Sequence, residues 1–457
     1  MHPPGFFYFS RFLPFAFVCL LALSGCSVIP QWNAWRPGSR AFITPMKCSQ
    51  EGERLRLAVK DNIDVEGVVT TAGSQYFAAT HRPAEKDAPC LAIVRERNVQ
   101  IIGKTNLSEF AVSPSGVNEH YGTPRNPFCF WRQRIPGGSS SGSAVAVAGG
   151  MADVAFGTDT AGSIRVPAAC CGIVGLKTTK GLVPIDGIHP IEPEHLDTVG
   201  PLGKDIASTV VGMDLLQRGF VDQYAAAKAA RPSAGSIRVG RLRLKGTDPK
   251  IDAAIDEALR RAGFQVIPLE DGLAAKWEQA KRDGNIVAAS GAWISDKKYR
   301  FSPGVSLRTK LVILTGQINY TTKYKGAVAR REQWQAALRE AFKKVDVIAL
   351  PTLQKTPFLI PPSLLDPGLL EAQMLELQNT VAVNYAGNPA VALPIPLHGS
   401  GFAVASLQLI GPERSEAQLL NAGRFVEQAV HRSNRGSSYE RLASACESSG
   451  AGAVLKE

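Results

Sequence analysis

The chain has 457 residues, 45% of them hydrophobic and 20% charged, so it can bury a large core and is neither intrinsically disordered nor fibrous. Its 43 glycines and 30 prolines stay below the density of low-complexity sequence. The formal charge is +11, but lysine and arginine are scattered without a run of five like charges, which gives a basic surface and no stripe for a nucleic-acid partner.

In chain order, Arg11 precedes an apolar stretch from Phe12 to Leu23. Twelve residues at a helical rise cannot cross a hydrocarbon core that needs about 20, so residues 1–26 read as a removable export signal rather than a membrane span. The stretch ends in Leu23-Ser24-Gly25-Cys26, which resembles the lipobox of bacterial lipoproteins. That resemblance implies a lipid anchor on Cys26 and a membrane partner. With Ser27 following, it also implies a place in the bacterial cell envelope, on the outer membrane facing the periplasm. Residues 27–47 carry proline and glycine but no sustained period and read as a tether. Residues 48–432 form the body, and the Ser-, Gly- and Ala-rich residues 433–457 form a tail.

Of eight cysteines, Cys19 leaves with the signal and Cys26 carries lipid, which leaves six in the body. None sits in a CxxC pair or at metal-ligand spacing with histidine, so no metal and no other cofactor is expected. Adjacent Cys170 and Cys171, in an apolar stretch, read as buried thiols rather than a bridge.

The body alternates strand and helix. Leu55 to Val59 alternates like a strand, and Ala88 to Arg97 reads as a helix leading into a strand at Val99–Ile102. The grammar returns at Ser236–Leu244, a strand. Asp248 and Pro249 then stand as cap and first residue of a helix to Gly263, and Phe264–Leu269 is the next strand. An amphipathic helix around Ala327–Lys344, a strand at Val345–Leu350 and a last helix near Ser415–His431 complete the series. This pattern predicts an α/β fold with one mixed sheet covered by helices on both faces, in a single large domain.

Between Pro136 and Pro167 the sequence becomes dense in glycine, serine and alanine. Glycine-rich backbone brings N–H groups close to a substrate oxygen, and hydroxyls among the glycines offer nucleophiles. Gly138 to Gly142 also fits G-x-S-x-G, the nucleophile elbow, but the segment before it ends in charges and a proline where the elbow requires an apolar strand.

These segments, with Leu57-Ala-Val-Lys-Asp-Asn-Ile-Asp-Val-Glu-Gly67, Ile102–Phe110, Tyr121–Asn126, Cys171–Lys177, Asp197–Pro201, Asn384–Ala390 and Leu407–Pro412, resemble the amidase signature hydrolases from about residue 55 to 430. The resemblance implies the amidase signature fold and a Ser–cis-Ser–Lys triad: Ser163 as nucleophile, Ser139 as bridging serine after a cis peptide bond, and Lys60 as base. Ser139 and Ser163 lie 24 residues apart, the family's habitual spacing. The backbone N–H groups of Thr160, Ala161, Gly162 and Ser163 would form the oxyanion hole, with Ser141, Asp159 and Arg165 in support. The chemistry stands by itself: a hydroxyl is a weak nucleophile at neutral pH, and lysine accepts its proton only when neutral. Burial must therefore lower Lys60 from about 10.4 toward about 7 to 8.

The reaction implied is hydrolysis of a small-molecule amide to a carboxylate plus ammonia or amine. Two alternatives remain open: the glutamine-hydrolysing A-type subunit of a tRNA-dependent amidotransferase, and a catalytically silent binding lipoprotein on the same scaffold. The substrate pocket is expected from residues 270–380, where Trp293, Tyr299, Tyr320 and Tyr324 either line it or belong to the core. Oligomeric state is not legible.

Overall fold

The alternation that begins at Leu55 is a strand in the computed structural model, which describes residues 38–46, 54–128, 133–360 and 367–434. Among the described residues, eleven strands form one sheet: β1 (Phe42–Pro45), β2 (Arg56–Lys60), β3 (Gln100–Thr105), β4 (Val154–Asp159), β5 (Val174–Lys177), β6 (Thr198–Gly203), β7 (Arg238–Arg241), β8 (Gln265–Pro268), β9 (Val347–Pro351), β10 (Ala390–Pro396) and β11 (Val404–Ile410). Their order across the sheet is β1-β3-β2-β4-β6-β5-β10-β11-β9-β7-β8. β2 runs parallel to β3 and β4, β7 runs parallel to β8 and β9, and the other neighbours are antiparallel. The sheet is mixed, as the strand–helix alternation predicts.

Both faces are covered because successive side chains of a strand point to opposite sides. On β9, Val347 and Ala349 join a core with Ile206, Leu259 and Leu420, whereas Ile348 and Leu350 join another with Trp277, Trp334 and Tyr385. Burial on both faces explains why the central strands read as near-continuous apolar runs.

Local chemistry sets the helix ends. The helix Pro249–Ala262 begins where the Asp248 carboxylate accepts the Lys250 N–H at 2.9 Å, has proline in its first turn, and stops at Gly263 with φ +82°. Its buried residues Ile251, Ile255, Ala258 and Leu259 repeat at helical spacing. The single helix expected over Ala327–Lys344 is two, Tyr324–Ala329 and Arg331–Lys344. The helices Asp271–Asp296 and Leu307–Thr322 carry no pattern that marked them in the sequence.

Ordered structure also starts earlier than a tether over residues 27–47 allows. Phe42–Pro45 pairs antiparallel with β3 and extends the sheet edge, because strand pairing satisfies backbone groups that composition does not report. The expected signal and anchor, Cys26 included, and residues 435–457 of the tail lie outside the described residues. Among the described residues, no helix is long and apolar enough to cross a membrane. Cys90, Cys170 and Cys171 are buried free thiols.

Candidate active site

Lys60 ends β2, the strand held between β3 and β4, and its side chain is fully buried. Its Nζ donates to Ser139 Oγ at 2.8 Å and to Thr158 Oγ1 at 2.7 Å. Burial lowers the ammonium to about 7, against the weaker upward pull of Asp159 and Asp197. Near neutral pH a lysine of this kind exchanges its proton with its partners.

Ser139 follows a cis Gly138–Ser139 peptide bond, directly before the helix Ser141–Ala148. Ser140 is turned inward, its Oγ donating to Thr158 O at 3.3 Å and its N–H to Ser163 O at 3.1 Å. A hydroxyl buried in this way is no exposed elbow nucleophile, so the G-x-S-x-G reading falls on geometry as well as on the missing strand.

The loop after β4 is built around Asp159. Its Oδ1 accepts the Gly162 N–H at 2.7 Å and its Oδ2 the Ile164 N–H at 3.1 Å. Arg165 donates to both oxygens, Nε at 3.1 Å and Nη2 at 3.0 Å, and Asn384 Nδ2 adds a further bond at 2.8 Å. Burial opposes the charge, but Arg165 outweighs it and holds the carboxyl at about 2. Arg165, also fully buried, reaches on to Thr380 O at 3.0 Å and Gln408 Oε1 at 2.7 Å. Gly162 has φ +132°, and a Cβ there would strike the Thr380 hydroxyl, so only glycine fits.

Ser163 lies on this loop with 9% of its surface exposed and lines a cavity of about 360 Å³. Its hydroxyl makes no hydrogen bond among the described residues, and neither do the amides of Ala161 and Ser163. Three expected roles change in detail. The Gly162 N–H is engaged by Asp159 rather than facing the cavity, the Thr160 hydroxyl donates to Asp197 Oδ1 at 2.6 Å, and the buried Ser141 hydroxyl has no partner and braces nothing.

Thr158, Asp197, Asn384 and Gln408 were not singled out as site residues. A polar residue on the buried strand β4 is the sequence signal for Thr158; Asn384 and Gln408 lie in family-like motifs that do not show what they bind. The four aromatics leave the cavity to smaller groups. Trp293 and Tyr299 pack with Phe77 and Phe110, the Tyr324 hydroxyl donates to Glu192 at 2.9 Å, Tyr320 is 43% exposed, and none lines the cavity. Among the described residues Glu192, Glu194 and His195 bring ligand atoms within 4.8 Å of one another, with Glu192 already bonded to His195 and Tyr324.

The family model described as Amidase matches residues 55–420. The chain is 33% identical to 2-amino-5-chloromuconic acid deaminase of Comamonas testosteroni, over 82% of this chain and 81% of that protein. It is also 33% identical to the glutamyl-tRNA(Gln) amidotransferase A subunit of Natronomonas pharaonis, over 84% and 98%. The crystal structure of the glutamyl-tRNA(Gln) amidotransferase A subunit from Thermotoga maritima superposes with a TM-score of 0.70 at 25% identity, covering 85% of this chain and 87% of that one.

Proposed function

This chain belongs to the amidase family of hydrolases acting on amide C–N bonds, and on that premise we propose that it does so through Ser163, Ser139 and Lys60. Neutral Lys60 takes the Ser139 proton as Ser139 takes that of Ser163, whose Oγ attacks the substrate carbonyl carbon. The amides of Ala161 and Ser163 receive the negative charge that develops on the carbonyl oxygen, each worth about 2.7 to 4 kcal/mol in such a role. The proton returns by the same path to the leaving nitrogen as the C–N bond breaks. Water then attacks the ester on Ser163, which leaves a carboxylate and the restored serine.

The observation that carries this reading is the 2.8 Å contact from a fully buried Lys60, lowered to about 7, to Ser139 Oγ. The open Ser163 hydroxyl is consistent with it, since catalytic hydrogen bonds often close only around substrate. A binding protein that had lost catalysis has no need of the buried lysine–serine contact. The test is a fluorophosphonate probe with mass spectrometry, alongside ammonia release from primary amides. We expect one adduct on Ser163 and loss of both labelling and turnover in Ser163→Ala. An adduct on Ser140, or labelling that survives in Ser163→Ala, would overturn the assignment.

We further propose that Cys26 is the lipidated mature N-terminus on the envelope's outer membrane, a reading supported by Leu23-Ser24-Gly25-Cys26 and the short apolar stretch before it. Radiolabelled palmitate should enter the wild type; equal incorporation into Cys26→Ala would remove the anchor.

A further inference from the structure

The wall opposite Ser163 is assembled from three helices. Asp271–Asp296 contributes Ala288, Ala289 and Ala292, Leu307–Thr322 contributes Leu311, and Pro367–Leu377 contributes Leu375. A lining of this kind accepts hydrocarbon and penalises an ion that has shed its water.

One cation stands in that wall. Arg308 is 5% exposed, and its guanidinium is fixed by acidic partners: Nη1 donates to Glu371 Oε1 at 2.5 Å and Nε to Glu119 Oε1 at 3.3 Å. Glu371 is held in turn, its Oε1 accepting the Ser115 hydroxyl at 2.6 Å and its Oε2 the Ser115 N–H at 3.3 Å. One guanidinium between two carboxylates leaves this part of the wall net negative. A carboxylate on an incoming acyl group would reach Arg308 only by displacing Glu371, and would otherwise face it across a dry gap.

The remaining polar groups at this end are neutral. Gln378, 1% exposed, has its Nε2 buried without a hydrogen-bond partner, and so has Asn285 Oδ1; both residues line the cavity. A donor and an acceptor left open in a pocket otherwise apolar suit an uncharged hydrogen-bonding group.

Resting on the hydrolase reading above, we propose that the substrate is an uncharged carboxamide with a hydrocarbon acyl portion, and that Glu371, through Arg308, is the specificity determinant that rejects anionic acyl groups. The cavity of about 360 Å³ is within the size range of small-molecule sites. Free glutamine, which carries a carboxylate, falls on the rejected side.

The test compares two amides of matched shape, 5-methylhexanamide and glutaramate, which differ by an isopropyl group in place of a carboxylate, with glutamine as a third. Wild type should favour 5-methylhexanamide in kcat/KM by about 100-fold or more, since like-charge juxtaposition costs several kcal/mol. Glu371→Gln leaves Arg308 less neutralised, so kcat/KM for glutaramate should rise in absolute terms and the ratio should shrink by about tenfold or more. A merely structural role for Glu371 would lower both rates and gain nothing on glutaramate. A wild-type preference for glutaramate or glutamine overturns the substrate class while the hydrolase stands, and so does a fluorophosphonate adduct on Ser163 with no turnover of 5-methylhexanamide. No adduct and no turnover of any amide strikes the hydrolase reading instead. Should Glu371→Gln fail to fold by circular dichroism, the wild-type ratio still decides.

Discussion

Lys60 and Lys177 are both fully buried, both end a strand of the same sheet, and both are lowered by burial to about 7. Their partners differ in kind. Lys177 Nζ donates to the carbonyl oxygens of Thr178 and Asn388, each at 2.8 Å, and a carbonyl has no proton to give. Lys60 touches two hydroxyls, one of them on the loop beside the nucleophile's own. The difference separates a structural lysine from a base: a depressed pKa makes a proton acceptor available, and only a protic neighbour next to open volume makes it useful.

The largest effect should break the pair apart in kinetics. Lys60→Ala should lower kcat/KM by about 10² to 10⁴ and erase the acid limb of the pH–rate profile, which the lowered lysine places at about 7. Lys177→Met, if it folds, should retain that limb. A profile in which Lys177→Met removes the limb and Lys60→Ala keeps it would reverse the assignment.

Stability, by contrast, should treat the two alike. The unfolded chain takes up these protons below 10.5, the ordinary lysine value, and the folded chain only below about 7. Stability therefore falls as pH drops from 10.5 toward 7, and the full cost is present below 7. Replacing either lysine with methionine should stabilise the protein more at about pH 6 than at about pH 10, by an upper bound on the order of 4 kcal/mol. Denaturant unfolding at the two pH values measures this; a gain larger on the alkaline side contradicts it.

The smallest expected effect sharpens the role of the second hydroxyl. Thr158 Oγ1 accepts from Lys60 and so favours the ammonium. Thr158→Val should move the acid limb to lower pH and cost about tenfold in kcat as the lysine is less firmly placed. A limb moved upward would assign Thr158 a different part.

The sequence revealed those features whose physics is local. The Asp248–Pro249 helix start and the buried β2 ending at Lys60 follow from capping and from apolar alternation, and the structure holds both. The long helix Asp271–Asp296 escaped because Gly284 and Gly291 interrupt its pattern. They are there for close approach, to Val381 in one case and to Ile191 and Glu192 in the other, which is information from distant parts of the chain. For the same reason aromatics were considered for the pocket that alanines and leucines line, and Ser141 for a brace it does not form.

Lys60, Ser139 and Ser163 all fall in the first 163 residues, yet the Asp159–Arg165 pair that shapes the nucleophile's loop is completed by Thr380, Asn384 and Gln408. The reacting groups and the groups that hold them in place are thus written at opposite ends of the gene. A recombination breakpoint anywhere between codons 165 and 380 would join a complete set of reactants to a foreign frame. The site can be inherited as a whole or lost, and cannot be shuffled onto another scaffold as a cassette.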